Sequence, residues 1–174
     1  MKTPSKADSG RGAAGAEPEA EREMVVRRRV RAPREVVFEA FTSAERLDRW
    51  WGPDGFRTTT SRFELRPGGR WIFVMHGPDG TDYPNQITWK EIVPPERLAY
   101  LHGSGEGDPE SFDATITLVE RGSETEVTLR AVFPTRARLE LVRERYHAEE
   151  GGKQTLGRLA AFVERTRPSP GARP

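Results

Sequence analysis

The sequence predicts an α+β domain in which one antiparallel sheet carries its helices on a single face. Three observations carry that prediction. Apolar and polar residues alternate with period two in several short segments, separated by Gly- and Pro-rich turns. Two short amphipathic segments with helix-start signals interrupt the chain after the first strand. After Pro134 the period changes from two to helical spacing and stays there. Half-buried antiparallel strands leave one sheet face to solvent, so the helices have one face to cover.

Residues 24–31 (MVVRRRVR) read as a strand with Val26, Arg28 and Val30 on one face and Val25, Arg27, Arg29 and Arg31 on the other. Ala32-Pro33 ends it. Pro33 opens a short helix to Phe41, because proline is well tolerated at a first helical position. Val36, Val37, Phe38 and Phe41 are its apolar stripe. Ser43 is an N-cap for a second short helix through Arg49, with Leu47 inward. That helix stops near Trp50-Trp51-Gly52-Pro53.

A meander follows. Residues 57–65 form a strand and Arg66-Pro67-Gly68-Gly69 a turn. Residues 70–76 put Trp71, Phe73 and Met75 on one face, and Gly77-Pro78-Asp79-Gly80 is a hairpin loop. Residues 82–93 make a long strand, expected to break near Pro84, and Pro94-Pro95 turns the chain into a strand at 98–102. A Gly-rich loop spans 103–109. Phe112, Ala114, Ile116 and Leu118 alternate inward, Arg121-Gly122-Ser123 turns, and Val127, Leu129, Ala131 and Phe133 alternate inward again. Thr135 caps a helical stretch carrying Leu139, Val142, Tyr146, Leu156, Leu159, Ala160 and Val163. Gly151-Gly152 within it either separates two helices or marks a close approach to the sheet.

The length of 174 residues suits one domain with tails. Residues 1–22 have little to bury and their charges cancel, so they read as a disordered tail; residues 167–174, rich in proline, read as another. The folded domain is expected over 24–166. Lys plus Arg number 28 and Asp plus Glu 27, a balance that argues against a nucleic-acid partner. Cysteine is absent, which excludes disulfides and thiolate chemistry. No apolar run is long enough to span a bilayer, and the N-terminal segment lacks the apolar core of a secretory signal, so a cytoplasmic location is expected.

Several motifs in order carry a resemblance. These are Ala32-Pro33 with Val36, Val37 and Phe38; Trp50-Trp51-Gly52-Pro53; Arg66-Pro67-Gly68-Gly69-Arg70-Trp71; Gly77-Pro78-Asp79-Gly80; Glu91-Ile92-Val93-Pro94-Pro95-Glu96-Arg97-Leu98; and Gln154-Thr155-Leu156 with Leu159. Together they resemble the bacterial branch of the SRPBCC superfamily, START-like proteins similar to the C-terminal domain of the activator of heat-shock protein ninety ATPase. The resemblance implies a helix-grip fold, a curved antiparallel sheet wrapped around a long C-terminal helix, with two short helices after the first strand. It also implies an apolar cavity between sheet and helix, and it is compatible with a homodimer. The eukaryotic activators carry a separate N-terminal docking domain. The first 22 residues here lack hydrophobic periodicity, so a chaperone partner ranks behind a small-molecule ligand.

The expected function is binding of a hydrophobic small molecule, lipid, polyketide-like or aromatic, with no cofactor. The alternatives are a cyclase, dehydratase or hydrolase using the same cavity, and a chaperone-activating module. The expected lining is aromatic: Trp71, Phe73 and Met75 on one strand face, Tyr100 and His102 beside Leu98, Trp89 on the longest strand, Phe112 and Phe133 inward, and Trp50 and Trp51 closing the mouth. Periodicity alone also allows these rings to fill a solid core. Arg28, in phase with Val26 and Val30, is either an inward anion anchor or ion pair, with Glu64 and Glu91 as partners, or a solvated edge residue. His102 or an inward Glu is the acid–base candidate of the enzyme reading, while His147 can face either way and His76 is expected to be solvated. No His pair has zinc spacing, and no metal is expected. Ser104 lies in a strand-to-strand loop, not on a nucleophile elbow.

Overall fold

Short connections oblige consecutive strands to pair as hairpins, and the meander does so. The computed structural model describes residues 17–166. Its strands are β1 (Glu23–Val30), β2 (Arg57–Phe63), β3 (Arg70–His76), β4 (Asp82–Val93), β5 (Arg97–Gly103), β6 (Phe112–Arg121) and β7 (Glu124–Val132). The helices are α1 (Arg34–Glu39), α2 (Ala44–Trp50), α3 (Arg136–Tyr146) and α4 (Ala148–Thr166). The seven strands form one antiparallel sheet in the order β1-β7-β6-β5-β4-β3-β2. The excursion through α1 and α2 carries the chain from one sheet edge to the other, which leaves β1 free to pair with β7. This is an α+β helix-grip fold, with α4 lying across the inner face of the curved sheet.

Local chemistry sets the boundaries. Ser43 accepts a hydrogen bond from the Arg46 amide and Thr135 one from the Arg138 amide, so both helix starts are capped by a hydroxyl. Register shifts at Thr60/Arg62 and Trp89/Glu91 bend β2 and β4. The 66–69 turn is tied back to β4, where the Gly68 amide donates to the Trp89 carbonyl at 2.8 Å and the Trp89 amide donates to the Gly69 carbonyl at 2.9 Å. A Cβ at Gly69 would lie 2.3 Å from the Glu64 carbonyl oxygen, so only glycine fits there.

Four expectations are corrected. β4 does not break at Pro84, which pairs with Val74; β5 reaches only as far as Gln86, so the missing amide falls where β4 has no neighbour on that side. The helical stretch divides at His147, whose left-handed backbone (φ 50°) ends α3, and not at the glycine pair. Gly152 instead marks a close approach: a Cβ there would sit 3.2 Å from Val26 Cγ2. Val36 is exposed, so the α1 stripe narrows to Val37 and Phe38. Residues 17–22, assigned from sequence to a tail, are engaged: Arg22 Nη1 donates to the Phe133 carbonyl at 2.8 Å and Glu19 pairs with Arg130. Residues 1–16 and 167–174, the rest of the expected tails, lie outside the described residues.

The core is divided unevenly. A large cluster joins the inner sheet face to α1, α2 and α4 through Val30, Val37, Phe41, Leu47, Leu118, Val127, Leu159 and Val163. A smaller one lies under α3, formed by Met24, Ala131, Phe133, Leu139 and Val142. Phe112 packs against both.

Candidate functional site

Every inward strand position alternates with an outward one, so the inner face is a grid of side chains whose burial can be followed along each strand. On β3 it runs from Trp71 (0% exposed) and Phe73 to a half-buried Met75. On β4 it runs from Trp89 and Ile87, both sealed, to a half-buried Asn85 and Tyr83. On β5, Leu98 and Tyr100 are sealed and His102 is not; on β6, Leu118, Ile116 and Ala114 are sealed and Phe112 is not. Register puts the exceptions side by side, since Met75 pairs with Tyr83, Ile87 with His102, and His102 with Phe112. One end of the inner face is therefore closed, and the other keeps a row of partly accessible side chains.

The aromatic rings are organised around this row. Trp71 and Phe73 stack with centroids 4.0 Å apart. Trp51 stands edge-on to Trp71 at 5.0 Å and to Phe73 at 6.2 Å, and reaches to within 6.4 Å of His102. His102 lies 4.9 Å from Phe112, 6.1 Å from Phe73 and 6.2 Å from Tyr100. Phe112 in turn stacks on Phe133 at 4.8 Å. The residue after α2 thus forms a lid over the row. The lid is held from above by α4: Arg158 Nη1 donates to the carbonyls of Gly52 at 2.9 Å, Pro53 at 3.1 Å and Trp51 at 3.4 Å. Gln154 accepts from the Asp54 amide. Desolvation lowers the pKa of Arg158.

The polar atoms in this apolar setting have defined roles. Asn85 Nδ2 donates to the Tyr83 carbonyl at 2.8 Å, so its Oδ1 is the oxygen left to accept. His102 Nε2 stands 2.8 Å from that oxygen and must be the protonated nitrogen. Nδ1 then carries a lone pair. Burial pushes the imidazole down to about 4, so the ring is neutral at neutral pH. Burial also raises the Tyr100 phenol. Among the described residues His102 Nδ1 has no hydrogen-bond partner, and its ring, unlike those of the sealed Tyr100 and Trp89, is only half-buried.

The expected site residues divide accordingly. Trp51, Phe73, Met75, Tyr100, His102 and Phe112 come together at the open row. Trp50 does not: it is 1% exposed, packs on Phe41 and donates its indole N–H to the Ala40 carbonyl, so it belongs to the closed end and not to a mouth. Trp71 is sealed, with its indole N–H satisfied by Thr60 Oγ1. Phe133 is buried under α3. Arg28 is exposed on the edge strand with Nη1 beside Gly157 of α4, and its expected partners are engaged elsewhere, Glu64 by Arg62 and Arg66, and Glu91 by Arg97. An edge strand leaves its guanidinium in water, so the reading as an inward anchor fails.

His76 lies on the outer sheet face, in line with the solvated position expected for it, and is engaged there. Its Nδ1 lies 2.7 Å from Asp82 Oδ1 and its Nε2 2.8 Å from Thr59 Oγ1. The order hydroxyl, imidazole, carboxylate is that of a nucleophilic triad, but Thr59 and Asp82 are exposed on the outer sheet face, where water is not excluded. The chain of bonds ties the edge strand β2 to β3 and β4. A surface groove of about 420 Å³ between α2 and the end of α4, lined by Ser43, Glu45, Arg46, Arg49, Phe162 and Thr166, is remote from the aromatic row, and its arginines are paired with Glu39 and Glu45. Among the described residues no cluster of three or more His, Cys, Asp or Glu is placed to hold a metal, and no helix is long and apolar enough to cross a membrane.

Asn85 and Arg158 escaped the sequence reading. Asn85 is in phase with Ile87 and Trp89, so a polar residue on an inward face was the available signal. Nothing in the helical period marks Arg158 as the residue that meets three loop carbonyls.

The fold has counterparts among known proteins. A family model described as Activator of Hsp90 ATPase homolog 1-like protein matches residues 31–164. The chain belongs to that family. This places it in the SRPBCC superfamily. A solved protein from Nitrosomonas europaea is 26% identical, with a TM-score of 0.77 over 86% of this chain and 98% of its own. One from Chromobacterium violaceum is also 26% identical, with a TM-score of 0.71 over 82% of this chain and 97% of its own. The protein of Silicibacter pomeroyi named for the same family is 20% identical, covers 83% and 99%, and at a TM-score of 0.68 shares the fold. Among curated proteins none matches the chain.

Proposed function

We propose that this family member binds a hydrophobic small molecule at the open end of its inner sheet face, under the Trp51 lid. One observation supports the reading above the others. His102 stands on the inner sheet face with Trp51, Phe73, Tyr100 and Phe112 around its imidazole, yet it is only half-buried. Deep position together with accessible surface describes the lining of an internal space, and few polar groups among many aromatic ones is the composition of a small-molecule site. An imidazole near 4 is a weak general base at neutral pH, which ranks catalysis behind binding.

The test is a titration with the uncharged probe N-phenyl-1-naphthylamine, read by Trp fluorescence and native mass spectrometry. Saturable one-to-one binding in the wild type, blocked by the space-filling Phe112→Trp, is expected. Absence of saturable binding in the wild type sinks the reading. The family's description supports a second reading, stimulation of a chaperone ATPase. It requires faster ATP turnover by an Hsp90-type chaperone when this protein is added.

A further inference from the structure

The polar atoms facing the accessible end of the inner sheet form a sharply limited set. The Tyr83 carbonyl takes a proton of the Asn85 amide group, Asn85 Oδ1 takes the proton on His102 Nε2, and the relay ends in a bare lone pair on His102 Nδ1. Two residues along the same strand face stands the Tyr100 hydroxyl, its ring 6.2 Å from the imidazole. His102 Nδ1 has no hydrogen-bond partner among the described residues and its ring is only half-buried, whereas Tyr100 is fully buried. An accessible acceptor without a protein partner is free to pair with a donor that enters the space.

The ring neighbours of His102 are Trp51, Phe73, Tyr100 and Phe112, and its hydrogen-bond partner is Asn85; none of these brings a formal charge at neutral pH. The guanidinium of Arg158, which holds the lid, is turned to the lid carbonyls. An anion entering here would lose its hydration without a counter-charge. Flat rings line the walls, and the one fixed acceptor demands a donor.

We infer that the site recognises an uncharged aromatic alcohol, a phenol or naphthol, through a hydrogen bond from its hydroxyl to His102 Nδ1. The inference rests on the proposed binding function and adds the chemical class. His102 acts as a fixed acceptor and not as a proton-abstracting base. The neutral state that burial imposes keeps the lone pair available throughout the physiological range.

The experiment compares 2-naphthol with 2-methoxynaphthalene, the same ring system without the donor, and with the anion 2-naphthoate. Wild-type protein is expected to bind 2-naphthol about tenfold or more tightly than the methyl ether, and 2-naphthoate more weakly than either. His102→Phe is expected to erase that preference, so that naphthol and ether bind within about twofold of each other. An independent readout does not depend on the variant: in ¹⁵N-labelled wild type, 2-naphthol shifts the His102 Nδ1 resonance, and the ether does not. Equal affinities for naphthol and ether, tightest binding of the naphthoate, or an unmoved Nδ1 resonance overturns the inference and leaves the cavity reading standing. Failure of all three compounds and of N-phenyl-1-naphthylamine overturns both.

Discussion

The two ends of the inner sheet face are built from the same residue types and behave differently. At the closed end, Trp71, Leu118, Val127 and Val30 meet Val37, Phe41, Leu47 and Trp50 of the α1–α2 region and Leu159 and Val163 of α4, and all are 2% exposed or less. The indole N–H groups of Trp50 and Trp71 have acceptors there, while that of the equally sealed Trp89 has none. At the other end, Met75, Asn85, His102 and Phe112 are half-buried, and the covering elements are a loop and a single lid residue. Aromatic content does not separate the two. What separates them is whether a helix side chain reaches down to meet the ring.

That contrast is open to attack. The largest effect belongs to the closed end: Trp71→Ala is expected to lower unfolding free energy in urea by about 3–5 kcal/mol, since a sealed indole leaves a cavity that its neighbours cannot fill. Next comes pH. The folded His102 pKa of about 4 lies below its ordinary value of 6.5, so the unfolded chain binds the extra proton first as pH falls. Its contribution is complete above about 6.5, declines between there and about 4, and amounts to at most about 3 kcal/mol. Other carboxyl groups titrate in the same window, so the measurement is the wild-type curve minus that of His102→Gln. A flat difference contradicts the burial of the ring.

Arg158→Ala is expected to cost about 1–2 kcal/mol, because three lid carbonyls lose their donor. Hydrogen exchange should speed up over residues 51–56 and hardly change at 71–73. Equal acceleration in both regions removes the distinction between lid and core. The smallest effect is expected from Met75→Ala, about 1 kcal/mol by urea unfolding, since a half-buried thioether forfeits only part of its transfer energy. If it costs as much as Trp71→Ala, both ends are equally packed and the contrast fails.

Much of the architecture was legible in one dimension because its signals are local. Alternation such as Phe112, Ala114, Ile116, Leu118 identifies an inner face whatever lies opposite, and the hydroxyl caps at Ser43 and Thr135 act within four residues of themselves. The misreadings share one cause. Pro84 was taken for a break because its neighbour strand was not known to stop at Gln86. Arg28 was open to an inward reading because β1 was not known to be an edge. The bonds of His76 to Thr59 and Asp82 are equally illegible in the sequence, because the three residues meet only when three strands are in register. Gly152 stayed ambiguous until Val26 was placed beneath it.

The linear order of apolar residues determined the element types, their sequence and which side of each strand turns inward, since these follow from backbone periodicity and local capping. Tertiary structure alone decided which of the inward rings are sealed, which nitrogen of His102 holds the proton, and that Arg158 pins a loop more than a hundred residues away in the chain. Those outcomes depend on solvent exclusion and on hydrogen-bond geometry between distant segments, and both arise only when the sheet and α4 have come together.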